Sequence, residues 1–594
     1  MKKSIIYIWV AICGMTTVSC DFLVEPPRVA FTDEVVYSTE SGLEASVSGL
    51  YQGLHFYAAS NYFYYLGNAS KFSAFSGNRQ QTEFLQSHDL TMYSENIYNL
   101  NMYSSLYSSI KNCNNLLDKL PESPVNDEYK IAIAAEAKLF RALYYFNLVR
   151  LYGDVPLILN TSTDENAVHL PRSPYYEVYA RIVKDLEEAE TYMRDVDQQE
   201  AINPMEGRFN RMAATALKSS VYVWIASLLE SVDCNFFDVN KPGRTPEFSA
   251  LQIRDAEDAW KLALEAAQTV ISSEVYALEP DFRNLFRWDQ DNHPEDYMSK
   301  ERIIMTTATG THGASPAKFT LWSNAYGTDA SQSSSSNEGR IRASRWMWQR
   351  WAETHGGELV LDDATDISYY HGCPDPRFDA TFAHSVIYTY KDGVLSSSEV
   401  YPATGLDGNA GTCPYFKKYF STRYMADSGY ADMYVLRYAE VILNAAEAAA
   451  SLGNESLACD YLNMILARAR NSVDGQPASY PVDVYVDDFS SQEELVDAIM
   501  WERLFEFNGE FHEWFDTHRR GAKWLKDNVC APLYAFLQQE EQASFKKQSF
   551  NNQVETLNKD AEALRASILC AFPADEIRRN SKIELSDQND FYIE

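Results

Sequence analysis

The stretch from Tyr434 to Gly521 constrains the fold more than any other part of this chain. Its first half contains RYAEVILNAAEA, in which alanines recur on one side of a helix so that a neighbouring helix can approach closely. The polar residues of this half are spaced three or four positions apart, which stacks them into one stripe along the helix. That stripe consists of Arg437, Glu440, Asn444 and Glu447.

The second half of the stretch, IMWERLFEFNGEFHEWFD, is rich in Trp and Phe. Asn508-Gly509 divides it with a strong turn signal, because glycine readily takes the left-handed conformation that ends a helix. We therefore predict a helix, a tight turn and another helix. Two such hairpins in one segment are typical of stacked helix pairs of the tetratricopeptide kind.

Helical periodicity recurs through most of the remaining chain. Apolar side chains at intervals of three and four predict helices over 40–57, 95–120, 129–152, 211–230, 255–272 and 553–571, with a further helix that starts at Ser173-Pro174. We therefore predict a mainly α fold, with a tetratricopeptide-like scaffold of helix pairs at 38–278 and 433–594.

The middle of the chain, from Glu279 to Asp432, has a different composition. Helical periodicity mostly disappears, and Gly, Ser, Pro, Asn and aromatic residues dominate, including a low-complexity serine run at Ser333–Ser336. The alternation in Ala383–Tyr390 favours short strands. We interpret 279–432 as a large irregular insertion of loops and short strands, mounted on the helical scaffold and not folding separately.

Met1 to Ser19 is typical of a targeting segment. Two lysines precede an apolar run that is too short to span a bilayer. Cys20 follows directly, so we expect residues 1–19 to be removed and Cys20 to carry a lipid anchor. The mature chain, 20–594, is then predicted to be a single domain. We expect no later stretch that is long and apolar enough to cross a bilayer.

Charge and cysteine content narrow the classes of partner. A formal net charge of −33 repels nucleic acid and anionic lipid headgroups, so neither is expected to bind. The nine cysteines contain no Cys-x-x-Cys pair, and most are expected to be buried and free. Cys373 and Cys413 are candidate disulfide partners in an exported protein, and the sequence leaves that pairing open.

Five segments of the chain resemble one known family. LRYAEVILNAAEA and ERLFEFNGEFHEWFDTHRRG are similar to the signature segments of the SusD/RagB family of outer-membrane nutrient-binding lipoproteins. AEAKLFRALYYFNLVRLYGDVPLI, the tripeptide Asp375-Pro376-Arg377 and the C-terminal FPADEIRRNSKIELSDQNDFY agree with it as well. The segments occur in the family's order and span the mature chain.

The resemblance implies a function and a location. A family member would be lipid-anchored in the outer membrane and exposed at the cell surface. It would capture a nutrient, with an oligosaccharide or polysaccharide as the leading ligand class, and pass it to a SusC-like TonB-dependent transporter. A peptide or glycopeptide ligand is the alternative within the same architecture, and a secreted hydrolase or a helical scaffold that binds only protein is less favoured.

Glu440 and Glu447 are the carboxylates that a hydrolase hypothesis would use. Two residues seven apart on a helix are separated by about 10.5 Å along its axis. Glycosidase carboxylates instead stand about 5 Å or 6.5–9.5 Å apart across the scissile bond. We therefore expect Glu440 and Glu447 to form buried or half-buried ion pairs, with Arg437 and Arg503 as their partners.

Nothing else in the sequence calls for catalysis or a cofactor. His512 and His518 have no cysteine or second histidine at ligand spacing, so both are expected to be structural or solvent-facing and no metal site is predicted. The sequence contains no Gly-x-Ser-x-Gly elbow, His-Glu-x-x-His helix or phosphate loop. We therefore expect a binding protein and not an enzyme.

Aromatic residues in the loop segments are the better candidates for a ligand site. Sugar rings have apolar faces edged by hydroxyl groups, so flat aromatic rings flanked by polar side chains suit them. The helix-like run with Trp346, Trp348 and Trp351 is expected in the core. The predicted ligand residues are Tyr62, Tyr64, Tyr65 and Arg79 in the loop at 58–89, and Trp288, Trp322 and Tyr326 in the insertion.

Overall fold

The computed structural model describes the helical scaffold and much of the base of the insertion. The described residues are 36–58, 62–67, 70–75, 97–162, 164, 169–195, 197–198, 208–230, 247–286, 299–306, 341–362, 367–371, 373–383, 386–391, 394–400, 415–416, 418, 433–539, 554–564 and 568–589.

The first half of the scaffold is built mainly from long helices, and most of the predicted ones form close to their predicted bounds. They are α1 (Glu40–Tyr51), α2 (His55–Ala58), α3 (Ile97–Lys119), α4 (Asp127–Tyr152), α5 (Tyr175–Tyr192), α6 (Arg211–Glu230) and α7 (Ala256–Ser272).

Local capping explains where these helices begin and end. The Asp255 carboxylate accepts a hydrogen bond from the backbone N–H of Asp258 and starts α7. Gly153, with φ of +71°, ends α4 where the sequence predicts a stop. Pro174 precedes the first residue of α5, as the predicted start at Ser173-Pro174 requires.

The insertion contains short strands and two helices. Together with a strand from the first part of the chain they are β1 (Ser73–Phe75), β2 (Arg302–Met305), β3 (Ile341–Ala343), α8 (Arg345–Thr354), β4 (Glu358–Asp362), β5 (Ile367–His371), α9 (Pro376–Thr381), β6 (Phe382–Ala383), β7 (Val386–Lys391), β8 (Val394–Val400) and β9 (Tyr415–Phe416). One four-stranded sheet has the order β1-β3-β9-β6, while β4 pairs with β5 and β7 pairs with β8.

The second half of the scaffold begins with a strand that closes the insertion. Its elements are β10 (Tyr434–Arg437), α10 (Tyr438–Ser451), α11 (Glu455–Asn471), α12 (Gln492–Glu506), α13 (Glu513–Arg519), α14 (Gly521–Leu525), α15 (Ala531–Leu537), α16 (Ala561–Leu564) and α17 (Ala574–Arg579). β10 pairs antiparallel with β2, so the chain enters and leaves the insertion through neighbouring strands.

Consecutive helices pack as pairs, and the pairs stack on one another. α4 packs on α5, α6 on α7 and α10 on α11, while α7 and α12 both contact α10. The alanines of α10 are fully buried in these seams, as the close-approach pattern predicts. The fold class, a mainly helical tetratricopeptide-like scaffold with a loop and short-strand insertion, is confirmed.

The tryptophan run of the insertion belongs to the core, as predicted. Trp346, Trp348 and Trp351 lie on α8 and are 5%, 3% and 0% exposed. The Trp351 ring packs edge-on against Phe378 of α9 and lies at a tilt on Phe505 of α12. Aromatic packing of this kind joins the insertion to the scaffold helices.

The prediction of one continuous helix over 553–571 is wrong. A 3-10 turn at Val554–Asn558 is followed by the short helix α16. The reason is local, because the Asp560 carboxylate accepts a hydrogen bond from the N–H of Ala563 and caps a new helix there. Cys570 then donates its backbone N–H to the carbonyl of Leu151, which ties this segment to the end of α4.

Two further expectations need correction. Residues 58–89 are predicted as loop, yet Phe63–Gly67 forms a π-helical turn and β1 follows it. No spanning stretch is predicted beyond the targeting segment, whereas α6 is long and apolar enough to cross a bilayer by length and composition alone. Most of its side chains are buried in the scaffold, as those of a core helix are.

The Asn508-Gly509 turn forms as predicted, with φ of +81° at Gly509. A Cβ atom built on Gly509 would lie 2.8 Å from Cδ1 of Phe416 in β9. The turn therefore requires glycine both for its backbone conformation and for its contact with the insertion.

We expect Gly509→Val to lower the melting temperature. The positive φ costs on the order of 1–3 kcal/mol for a β-branched residue, and the crowded Phe416 ring adds a further cost typical of overpacking. Gly453→Val is the matched control, because Gly453 has φ of +74° and nothing within 4 Å of a built Cβ. Equal losses in the two variants, measured by calorimetry, would contradict the Phe416 contact.

Candidate functional site

Two segments that carry predicted ligand residues meet at one pair of strand residues, where the first segment begins and the second ends. Residues 76–96, which include Arg79, follow Phe75. Residues 307–340, which include Trp322 and Tyr326, precede Ile341. Phe75 and Ile341 are partners in the antiparallel pairing of β1 with β3. The sheet therefore brings the ends of these two segments together.

A second meeting point lies where the insertion joins the scaffold. Thr306 is the last described residue before 307–340, and Met433 is the first after 419–432. The Thr306 backbone N–H donates to the carbonyl of Met433 at 2.9 Å, and the Met433 N–H donates to Oγ1 of Thr306 at 2.8 Å. The segment with Trp288 starts after Phe286, whose ring centroid lies 5.0 Å from Nζ of Lys418.

Most predicted ligand residues lie outside the described part of the chain. These are Arg79, Trp288, Trp322 and Tyr326, together with the expected anchor Cys20 and the disulfide candidate Cys413. Cys373 is unpaired among the described cysteines, and burial raises the pKa of its thiol to about 12.

The predicted tyrosines of the first loop are not exposed. Tyr62 and Tyr65 are 5% and 1% exposed, and the Tyr62 ring packs edge-on against Phe56 and Tyr57. Neither ring is available in this arrangement to stack on a ligand at the surface. Tyr64 lies on the same π-helical turn, and its side chain is outside the described set. Tyr62 lies just before the π-helical turn Phe63–Gly67 and Tyr65 lies on it, and both side chains pack into the core instead of lining a surface site as predicted.

A group of buried charges lies where the insertion meets the scaffold, and we call it the buried ion cluster. It comprises four cations, Arg377, Lys418, Arg437 and Arg468, and five carboxylates, Glu301, Asp375, Glu502, Glu506 and Glu510. None of these nine side chains is more than 5% exposed.

Glu506 and Arg437 are the most connected members of the buried ion cluster. The Glu506 carboxylate accepts hydrogen bonds from Arg377 at 2.9 Å, from Arg437 at 2.7 Å and from Arg468. Arg437 also donates to Glu301 at 2.6 Å and to both carboxylate oxygens of Glu510 at 2.9 Å. The insertion and the scaffold therefore share one set of ion pairs.

The ionisation of the cluster follows from these contacts. Burial by itself would raise the pKa of Glu506, but Arg468, Arg437 and Arg377 outweigh it and hold that pKa well below its ordinary value. Burial lowers the pKa of Lys418 to about 8, against the opposing effect of Glu510. The arginines also hold the pKa values of Asp375 and Glu510 below their ordinary values, against the effect of burial. Carboxylates with lowered pKa values are poorly suited to donate a proton in catalysis.

Glu447 forms an ion pair with a partner other than the predicted one, and Glu440 accepts a hydrogen bond from a hydroxyl group. Glu447 binds Arg519 through two hydrogen bonds of 2.6 Å, and Glu440 accepts from Ser220 Oγ at 2.7 Å. The prediction of burial is confirmed, while the prediction of Arg437 and Arg503 as partners is wrong. Arg437 is the residue before α10 and is directed into the buried ion cluster.

His512 and His518, which follow the Asn508-Gly509 turn, pack against aromatic rings of the scaffold. His512 stacks on Phe507, and burial lowers its pKa despite the proximity of Glu440, whose Oε2 lies 3.6 Å from Nδ1. His518 stacks on Trp514, and its Nδ1 lies 2.6 Å from the Trp514 carbonyl oxygen. Within the described residues, no group of His, Cys, Asp or Glu is arranged to hold a metal ion.

A small cavity that no sequence pattern predicts lies between α4, α6 and β10. The Arg150 guanidinium lies between the rings of Phe146 and Phe515, 4.0 Å from each centroid, and faces this cavity with Tyr57 and Glu440. Its volume is about 30 Å³, far below the roughly 300–1,000 Å³ of small-molecule sites. It has room for water-sized guests and not for a sugar.

Comparison with known proteins gives consistent matches along the chain. Residues 270–592 match the model of the SusD family, and residues 21–223 match a model described as starch-binding, associating with outer membrane. SusD-like protein P2 of Formosa agariphila is 25% identical over 527 residues, which cover 85% of this chain and 88% of that protein.

Solved structures share the fold. A SusD homolog from Bacteroides thetaiotaomicron VPI-5482 matches with a TM-score of 0.67 at 18% identity, over 93% of this chain and 98% of that one. A laminarin binding SusD-like protein matches with a TM-score of 0.58 at 19% identity, over 94% of this chain and 100% of that one.

The turn beside the buried ion cluster holds a carboxyl group with an unusual pKa. Glu513 accepts hydrogen bonds from the Gly509 N–H at 2.9 Å and from Asn508 Nδ2 at 3.1 Å. Burial raises the pKa of Glu513 to about 7. An acid whose pKa is higher in the folded state stabilises the protein fully below its unfolded value of 4.5, and this contribution is lost as the pH rises through 7.

We therefore expect Glu513→Gln to flatten the pH dependence of stability. Between pH 5 and pH 8, wild type should lose up to about 3 kcal/mol more of its unfolding free energy than the variant, because each pKa unit corresponds to about 1.4 kcal/mol. Urea unfolding at four pH values measures the difference. Parallel curves for the two proteins would show that Glu513 is not protonated in this way.

Proposed function

Because this chain belongs to the SusD family, we propose that it is a cell-surface lipoprotein that binds a nutrient glycan and delivers it to a SusC-like TonB-dependent transporter. One observation carries the position of the glycan site. The pairing of Phe75 with Ile341 joins the segment that contains Arg79 to the segment that contains Trp322 and Tyr326.

The chemistry of these residues supports a sugar ligand. Indole and phenol rings cover the apolar faces of a sugar, and the guanidinium of Arg79 supplies hydrogen-bond donors to its hydroxyl groups. Trp288 comes two residues after Phe286, whose ring contacts Lys418 at the base of the insertion. We place Trp322, Tyr326, Trp288 and Arg79 in the site, and leave Tyr62 and Tyr65 to the core.

The buried carboxylates at the base of the insertion and on α10 support binding in preference to hydrolysis. The buried ion cluster binds its carboxylates to arginine and lysine, and Glu447 is held by Arg519. A glycosidase needs one carboxylic acid that gives up a proton beside the scissile bond. Glu513, the buried acid with a raised pKa, uses its carboxylate to cap the hairpin turn.

The sequence and the family support the assignment of a lipid anchor and of a transporter partner in the membrane. Cys20 follows the targeting segment directly, and the match that begins at residue 21 is to a model described as associating with outer membrane. We propose that the lipid on Cys20 holds the chain at the outer membrane beside its transporter.

The ligand class is tested by affinity electrophoresis of the purified protein against a panel of polysaccharides that includes starch and laminarin. Retarded migration with at least one glycan, recovered intact afterwards, is the expected result. Retardation by none of them, together with binding to peptides or glycopeptides, would overturn the glycan assignment. Consumption of the glycan would show a hydrolase.

Trp322→Ala should abolish or strongly weaken glycan binding with little change in melting temperature. Loss of a stacking residue at the centre of a site costs roughly 2 kcal/mol or more of binding free energy, which is about a thirtyfold rise in Kd. Trp348→Ala is the matched control, since Trp348 is 3% exposed and its truncation should cost about 3–5 kcal/mol of stability.

Calorimetric titration and thermal melting of both variants separate the two roles. Unaltered affinity in Trp322→Ala, or a melting loss like that of Trp348→Ala, would place Trp322 in the core and direct the search to Trp288.

Cys20→Ala should release the protein from the membrane fraction, because the chain would lose its acyl anchor. Fractionation of cells that express wild type or variant, followed by immunoblotting, measures this. An intact variant that stays with the membranes would refute the lipoprotein assignment.

A further inference from the structure

A large open cleft lies on the helical scaffold, apart from the insertion. It is formed where α6 and α10 end, beside the first turns of α12 and the segment from α13 to residue 528. We call it the scaffold cleft and define it by Glu230, Glu493, Asp497, Arg520, Trp524 and Asn528. Its volume of about 640 Å³ falls within the roughly 300–1,000 Å³ of small-molecule sites.

The inner wall of the scaffold cleft is held rigid by hydrogen bonds. The Trp524 indole N–H donates to Oδ1 of Asp497 at 2.7 Å, which fixes the ring at the edge of the cleft. Gln492 Nε2 donates to the carbonyls of Ala450 and Ser451 at 2.7 and 2.9 Å, joining the start of α12 to the end of α10. A wall that is already ordered loses little freedom when a ligand binds.

Several polar groups of the scaffold cleft have no partner in the described part of the chain. The side chains of Glu493 and Asn528 make no hydrogen bond there, and the partly exposed Arg520 guanidinium, 3.3 Å from Glu230, carries further N–H donors. Asp497 uses one carboxylate oxygen for Trp524, and burial raises its pKa. Donors and acceptors are thus both available, as a ligand with many hydroxyl groups requires.

The charge of the lining argues against an anionic ligand. The lining carries the carboxylates of Glu230, Glu493, Asp497 and Asp527 and the cationic groups of Arg520 and Lys523, while Arg519 is already bound to Glu447. Several of them neutralise one another, since Arg520 lies 3.3 Å from Glu230 and Lys523 lies 2.7 Å from Asp527. Among the described residues, Glu493 and Asp497 remain without a cationic partner, so the lining disfavours a polyanion and offers acceptors to hydroxyl groups that donate hydrogen bonds.

We propose that the scaffold cleft is a second binding site for a neutral, hydroxyl-rich ligand, namely a short stretch of oligosaccharide. Glu493, Asn528 and Arg520 would hydrogen-bond the hydroxyl groups, and the Trp524 ring, 9% exposed in the wall of the cleft, would sense a sugar bound beside it. This inference rests on the proposed function, because it assigns a second contact to the same class of ligand.

The test uses the full chain labelled with 5-fluorotryptophan, so that fluorine NMR reports each tryptophan separately. The Trp524 signal is assigned by its loss in Trp524→Phe. Laminarihexaose, maltohexaose and tetralysine are the probes. We expect an oligosaccharide to shift the Trp524 signal in wild type and equally in Trp322→Ala, which removes a residue of the insertion site.

The matched variant is Glu493→Ala with Asn528→Ala, two side chains without protein partners. It should keep the melting temperature of wild type and raise the Kd read from the Trp524 signal by about tenfold, as the loss of about 1.4 kcal/mol implies. If the double variant melts early, Asn528→Ala alone replaces it. An unchanged Kd would overturn the assignment of these residues.

The other outcomes separate this inference from the proposed function. If the Trp524 signal does not shift while other tryptophan signals respond to sugar, the proposal for the scaffold cleft is wrong. The proposal for a glycan site in the insertion is then unaffected. A shift of Trp524 by tetralysine alone would make the cleft a basic-peptide site. If no tryptophan signal responds to either oligosaccharide and none of the polysaccharide panel binds, both proposals fail.

Discussion

One carboxylate bound by three arginines holds the two parts of this protein together. Glu506, at the end of α12, accepts hydrogen bonds from Arg377 of the insertion, Arg437 of β10 and Arg468 of α11. Removing one member of such a buried group leaves unpaired charge in a low-dielectric interior, which costs about 3–5 kcal/mol. The position of the insertion on the scaffold therefore depends on a few charged side chains as well as on apolar packing.

The same region fixes where the proposed ligand segments begin. Gly509, three residues after Glu506, lies against Phe416 of β9, which belongs to the sheet that also contains β1 and β3. A turn of the scaffold thus supports the sheet from which the segments with Arg79 and Trp322 start. Rigid support of this kind lets variable loops carry binding while the elements beneath them stay constant.

Two sites on one chain would change how a polymer is held. The insertion and the scaffold cleft are built from different parts of the sequence, so a long glycan that reaches both would bind through two weak contacts. The second contact is then intramolecular, and the overall affinity exceeds that of either site alone. Such a chain can hold a polysaccharide firmly and still release each contact quickly.

The sequence by itself determined most of the helices and the left-handed Gly509 turn, because periodicity, capping and turn chemistry act over a few neighbouring residues. It also determined that Glu440 and Glu447 would be buried among polar partners. The family could be identified from short segments for the same reason.

Tertiary structure alone decided which charges pair and which aromatic rings are buried. Glu447 binds Arg519 and not Arg503, and Tyr62 and Tyr65 pack inward although their segment reads as a loop. The scaffold cleft joins residues from 227 to 528 and has no local signature. These outcomes depend on contacts between residues far apart in the chain, whose energies are set by geometry that no local pattern encodes.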